Sequence, residues 1–141
     1  MKYYQGRYNV KNKEKYAGDF TNVIYRSSWE LKFMNWCDNN PNVIKFSSEE
    51  IIVPYVSPLD GKVHRYFVDF KIVTANNETF LVEIKPEAQT MPPKGTKKTR
   101  RYLTEASTYM VNQTKWEYAT RYAEARNWKF IVLTEKHLGI K

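Results

Sequence analysis

The sequence predicts a single α/β domain: a mixed central β-sheet flanked by helices, in the order helix-strand-strand-strand-helix-strand. Three observations carry this prediction. Two stretches, around Trp29 and from Tyr102 onward, repeat apolar residues at helical spacing; β-branched and alternating runs lie between them, from Ile51 to Lys85; and an apolar run of strand length, Trp128 to Thr134, follows the second helix. A chain of 141 residues, 42% hydrophobic and 16% aromatic, buries one useful core and leaves little room for a second.

In chain order, Met1 to Asp19 mixes basic and aromatic side chains without a period. It reads as an N-terminal arm, residues 1–19, pinned by Tyr3, Tyr4 and Tyr8 to a domain over residues 20–141. The first helix follows, with Trp29, Phe33, Trp36 and Cys37 on one stripe and Asn40-Pro41 closing it. Ser27-Ser28-Trp29-Glu30 fits a capping box in which Glu30 returns a hydrogen bond to the Ser27 amide. Val43 to Phe46 reads as a connection or short strand. Ile51 to Val56 reads as a strand, stopped by Ser57-Pro58-Leu59-Asp60-Gly61, with Pro54 marking an edge or a bulge. Tyr66 to Val73 and Thr79 to Lys85 then form a hairpin around Ala75-Asn76-Asn77-Glu78. Residues 86–101 are rich in Pro, Lys and Arg and lack apolar periodicity, so they read as a basic loop. The second helix runs from Tyr102 to Arg126, with Leu103, Ala106, Tyr109, Met110, Trp116, Ala119 and Ala123 on one face and a break at Val111-Asn112.

The hairpin carries charge where a strand should be apolar. Side chains alternate between faces, so Phe67, Asp69 and Lys71 share one side of the first strand and Leu81, Glu83 and Lys85 one side of the second. Phe80, Val82 and Ile84 form the opposite, apolar face. Glu83 and Lys85 thus project together, roughly 7 Å apart. Two carboxylates and an ammonium in this arrangement suit metal-dependent phosphodiester hydrolysis, because Mg²⁺ takes hard oxygen ligands and keeps waters for a phosphate to replace. Lys85 would position or polarise the attacking water. The same charges also fit cross-strand ion pairs on a solvated sheet face.

Asp69 followed by Glu83-Ile84-Lys85 on the next strand resembles the D…(D/E)xK motif of the restriction-endonuclease-like nucleases. With Tyr25 to Glu30, Arg65 to Lys85 and Asn112 to Trp116, most of the chain resembles the head completion nucleases of T-even-type tailed phages. The resemblance implies a Mg²⁺-dependent deoxyribonuclease, with Mn²⁺ as an alternative ion, found in the virion and, during assembly, in the host cytoplasm. Its partners would be DNA and phage head or portal-neck proteins. Metal ligands would come from Asp69, Glu83, the carbonyl of Ile84, and Glu30 as a further ligand or ligand-water holder. Lys85 and Lys115 would act in catalysis, Lys115 matching the Asn-to-Trp stretch of the second helix. Arg26, Lys94, Lys97, Lys98, Arg100 and Arg101 would meet the DNA.

Composition bounds the alternatives. The formal charge of +8, from 23 basic and 15 acidic side chains, favours a polyanionic partner. Cys37 is the only cysteine, which excludes an intramolecular disulfide or a cysteine-based zinc cluster. No run of about 18 apolar residues could span a bilayer, and no membrane partner is expected. Two other readings stay open: a non-catalytic DNA-binding head protein, and a transposon- or restriction-type endonuclease.

Overall fold

The structure, a computed structural model, describes residues 5–95 and 99–140. Strand β1 (Gly6–Arg7) pairs antiparallel with β2 (Ile24–Tyr25), and helix α1 (Ser28–Asn39) follows. Next come β3 (Val43–Ser48), β4 (Ile52–Val56), β5 (Val63–Phe67), β6 (Phe70–Thr74) and β7 (Thr79–Ile84), then the long helix α2 (Arg100–Glu124) and β8 (Lys129–Leu133). The central sheet has the order β3-β6-β7-β8. It is mixed: β3–β6 and β6–β7 are antiparallel, whereas β7 and β8 are parallel and need α2 as their crossover.

Three strand and helix expectations change. The run Ile51 to Val56 is not a strand of the central sheet; β4 pairs only with β5, in a separate two-stranded ribbon. The first strand of the hairpin is divided at Val68-Asp69, so that Tyr66 and Phe67 belong to the ribbon and Phe70 onward to the sheet. The hairpin turn itself forms as the sequence predicts, with Asn77 in the left-handed region at φ 65°. Helix α2 is continuous through Val111-Asn112 and begins at Arg100, so the last two residues of the basic loop lie in its first turn. A single 3₁₀ turn, Glu87–Thr90, also interrupts that loop.

Both faces of the sheet are covered. Phe70, Ile72, Val82 and Ile84 face α1 and the N-terminal segment, packing with Trp29, Phe33, Met34, Cys37, Tyr8 and Tyr16. Leu81 faces the other way, against Trp116, Ala119 and Ala123 of α2 and Val53, Tyr55 and Tyr66 of the ribbon. Ala119 and Ala123 are fully buried, and their small side chains let α2 approach the strands closely. Trp36, expected in the buried stripe of α1, is 49% exposed and stacks on Phe33 instead. Leu103 and Met110 are likewise exposed, because only the second half of α2 reaches the sheet. Among the described residues no helix is long and apolar enough to cross a membrane.

Besides the apolar packing of Tyr8, Val10 and Tyr16, one acid ties the segment from Tyr8 to Asn12 to this core. Asp38, buried at the end of α1, accepts hydrogen bonds from the Tyr8 hydroxyl at 2.6 Å, the Lys11 amide at 2.7 Å, and the Asn12 amide at 3.0 Å. The Lys15 ammonium meanwhile caps the helix C-terminus through the carbonyls of Cys37, Asp38 and Asn40. Tyr3 and Tyr4 lie outside the described residues. Burial opposes ionisation of Asp38, but its hydrogen bonds outweigh that and hold the carboxyl below its ordinary range. Asp38→Ala orphans these donors and is expected to destabilise the fold by at least about 1–3 kcal/mol. Because the folded pKa is depressed, the ionised Asp38 stabilises the protein above pH 3.8, and that stabilisation is lost as pH falls through the folded value. Thermal melts of Asp38→Ala and wild type across pH 2–7 check this: the gap between them should close at the acid end.

Candidate active site

The break between β5 and β6 and the end of β7 bring Asp69 beside Glu83. Asp69 sits at the point where the chain leaves the ribbon for the sheet; its carboxylate accepts the Ile84 amide at 2.9 Å, and its carbonyl accepts the Glu49 amide at 3.1 Å. Glu83 projects from β7 on the same face as Leu81, under α2, and is only 5% exposed. A surface ion-pair face is therefore not what this structure contains. Glu83 accepts a hydrogen bond from the Tyr66 hydroxyl through one oxygen and lies 3.7 Å from the Lys85 ammonium through the other.

Burial and the charge of Glu83 push the Asp69 carboxyl well above its ordinary range, and the Ile84 amide offsets this only in part. Burial also raises Glu83, against the pull of Tyr66, Lys85 and Lys115. Lys115 leans in from α2 over the rings of Tyr55 and Tyr66, at 5.8 and 5.6 Å from their centroids. Burial lowers its pKa, and the attraction of Glu83 works against that. Two repelling carboxyls and two ammonium groups thus share one half-buried place, with Glu83 its most enclosed member. Gln113, two residues before Lys115, points to solvent.

Glu30 stands one step further out. The Ser27 hydroxyl caps α1 by accepting the Glu30 amide at 3.2 Å, and the Glu30 carboxylate accepts the Arg26 amide at 3.4 Å rather than that of Ser27. Burial and the charge of Glu49 raise the Glu30 carboxyl, and its own charge is felt at Asp69. Arg26 is exposed and pairs with Glu49. Arg101 pairs with Glu105 on the outer surface of α2, Lys94 is exposed, and Lys97 and Lys98 lie outside the described residues.

Two contributors escape a reading of the sequence. Tyr66 could be placed on the Asp69 side only by knowing that the strand divides between them. Glu49 follows β3 with a left-handed backbone, φ 55°, unusual for a residue with a side chain; this turn sends its amide to Asp69 and its carboxylate to Arg26. The only local sign was an acidic pair, Glu49-Glu50, at a strand end.

Among the described residues no group of three or more His, Cys, Asp or Glu side chains is arranged to hold a metal ion. The donor chemistry nonetheless fits a hard divalent cation. Asp69 and Glu83 are neighbouring carboxyls that burial holds above their ordinary range, Asp69 also through the charge of Glu83, and carboxylate oxygens are the ligands such ions take.

A family model described as "TnsA-like endonuclease N terminal" matches residues 40–135, the span that holds Asp69, Glu83, Lys85 and Lys115. The chain belongs to the TnsA-like endonuclease family. It is 39% identical over 146 aligned residues to the head completion nuclease of Enterobacteria phage T4, an alignment that covers 98% of this chain and 97% of that protein. No solved structure matches the chain. Membership of the TnsA-like family bears out the resemblance to restriction-endonuclease-like nucleases carried by Asp69 and Glu83-Ile84-Lys85. Arg26 and Glu30 precede the part that the family model matches.

Proposed function

We propose that this TnsA-like endonuclease is a metal-dependent deoxyribonuclease that hydrolyses phosphodiester bonds in phage head completion. The observation that carries the chemistry is the buried Glu83 next to the half-buried Asp69, with Lys85 and Lys115 beside them. Enclosure argues against a merely structural role: exposed ion pairs stabilise by at most about 1 kcal/mol, whereas a buried Glu83 beside a half-buried Asp69 destabilises the fold. The setting in head completion rests on similarity to the phage T4 protein over nearly the whole of both chains. DNA is the substrate in this reading, and phage head or portal-neck proteins are the partners, in the virion and in the host cytoplasm during assembly.

Asp69 and Glu83 would hold Mg²⁺, or Mn²⁺, with the Ile84 carbonyl and Glu30 as further contributors. Such an ion lowers the pKa of water and draws negative charge from the phosphate. The protein's own side chains do the rest. Ile84 holds the Asp69 carboxylate in place through its amide, and Tyr66 does the same for Glu83 through its hydroxyl. Lys85 orients the attacking water, and Lys115 hydrogen-bonds a phosphate oxygen on the α2 side. The one hydroxyl in this group, that of Tyr66, is engaged in donating to Glu83, so direct attack by water is the route that the residues support.

Purified protein should cut linear and circular duplex DNA with Mg²⁺ or Mn²⁺ and stop when EDTA is added. A preparation that is folded yet cuts neither substrate with any divalent metal would leave a DNA-binding head protein as the better reading. DNA contacts are assigned to Arg26, Lys94, Lys97, Lys98, Arg100 and Arg101. Replacing Lys94, Lys97, Lys98, Arg100 and Arg101 with Gln should flatten the log–log salt dependence of DNA binding by about 0.9 for each phosphate that is no longer neutralised. An unchanged slope would remove this segment from the footprint.

A further inference from the structure

The first half of α2 carries a row of uncharged polar side chains that neither the sheet nor the acidic pair uses. Thr104, Thr108 and Asn112 are four residues apart, so the helical repeat stacks them on one ridge. A cavity of about 670 Å³ lies on one side, between α2 and Leu59 of the ribbon turn. A second, of about 1360 Å³, lies on the other, between α2 and the segment that follows β7. Thr104, Thr108 and Asn112 line both. Arg100 stands at the outer end of the first cavity and Lys115, beside Glu83, at the inner end.

In the second half of α2 the threonine hydroxyls are satisfied by the helix itself. Thr114 and Thr120 donate to the carbonyls of Met110 and Trp116, at 3.0 and 2.7 Å. Thr104 and Thr108 make no such bond among the described residues. Asn112 is the more telling group: it is 6% exposed, and its Nδ2 has no hydrogen-bond partner among the described residues. A buried donor without an acceptor is destabilising, and an apolar residue would fill the same place without that penalty.

We propose that this ridge is the track for the sugar–phosphate backbone of one DNA strand, running from Arg100 to the Asp69–Glu83 pair. Asn112 turns its amide to donate to a phosphate oxygen, as the last contact before the acids. Hydroxyls and side-chain amides are common phosphate partners, and they position a strand without reading its sequence. From Arg100 to Lys115 the helix rises about 22 Å, which at about 3.4 Å per nucleotide spans roughly six nucleotides of one strand. The inference rests on the nuclease reading and adds to it the path along which the strand approaches.

Equilibrium binding of fluorescent duplex and single-stranded oligonucleotides, in EDTA and across a salt series, tests it apart from cleavage. Asn112→Leu should weaken binding about 10-fold and leave the log–log salt slope unchanged, because a neutral contact releases no counterions. Its melting temperature should equal or exceed that of wild type. Thr104→Val with Thr108→Val, at exposed positions where folding is not at risk, should weaken binding to a similar degree with the same unchanged slope. Arg100→Gln should differ from both by lowering the slope. If the folded Asn112 and threonine variants bind DNA as tightly as wild type, the track is overturned, even where wild type cuts DNA. If they bind weakly while folded wild type fails to cut DNA with any divalent metal, the nuclease reading falls and the track stands.

Discussion

Asp69→Asn and Glu83→Gln are each expected to lower DNA cleavage by about 10²–10³-fold, the scale of losing one preorganised charge-stabilising group at a reacting phosphate. Neither should unfold the metal-free protein. Each removes one of two repelling carboxylates, Glu83 buried and Asp69 half-buried, so the variants should melt at or above the wild-type temperature in EDTA. The pH dependence gives a second readout. Both carboxyls have folded pKa values above their ordinary 3.8 and 4.5, so the folded state binds their protons more tightly than the unfolded chain does. That contribution is fully present below these ordinary values and is lost as pH rises through the folded ones. In EDTA the wild type should therefore lose stability relative to Asp69→Asn as pH rises from 4 to 8. Adding Mg²⁺ should raise the wild-type melting temperature by binding the native state, and raise that of either variant much less. Near-wild-type cleavage by both variants would remove these residues from the site.

Lys85→Met separates water positioning from metal binding. The Lys85 side chain is 26% exposed and its ammonium lies 3.7 Å from Glu83, close enough to orient a water between the acids and the phosphate. An ammonium is not a metal ligand. Cleavage should fall about 10²–10³-fold, as for other single donors at a reacting centre, while the Mg²⁺-induced rise in melting temperature persists. Loss of activity together with loss of that rise would mean that Lys85 supports the acids rather than the water. Lys115→Met supplies the comparison from the other side of Glu83; if it reproduces the Lys85→Met profile, both ammonium groups act on the reacting groups rather than on metal binding.

Local chemistry determined much of this protein. The alternation that puts Leu81, Glu83 and Lys85 on one face and Phe80, Val82 and Ile84 on the other is a property of any extended strand, and both faces are occupied as that alternation requires. The hairpin turn needed only residues that tolerate left-handed backbone, and Asn77 supplies one. The first helix began where Ser27 could cap it. Tertiary structure decided what local patterns cannot express. Whether Ile52–Val56 joins the central sheet or a separate ribbon depends on which distant strand meets its edge, and a β-branched run reads the same in both. Whether Glu83 is a solvated ion-pair partner or an enclosed acid depends on α2 closing over its face, with Ala119 and Ala123 small enough to allow it. Glu49, Tyr66 and Lys115 reach the acids from three other elements, and no spacing along the chain relates them. Periodicity shows which side of an element a residue lies on; only packing shows what it faces there.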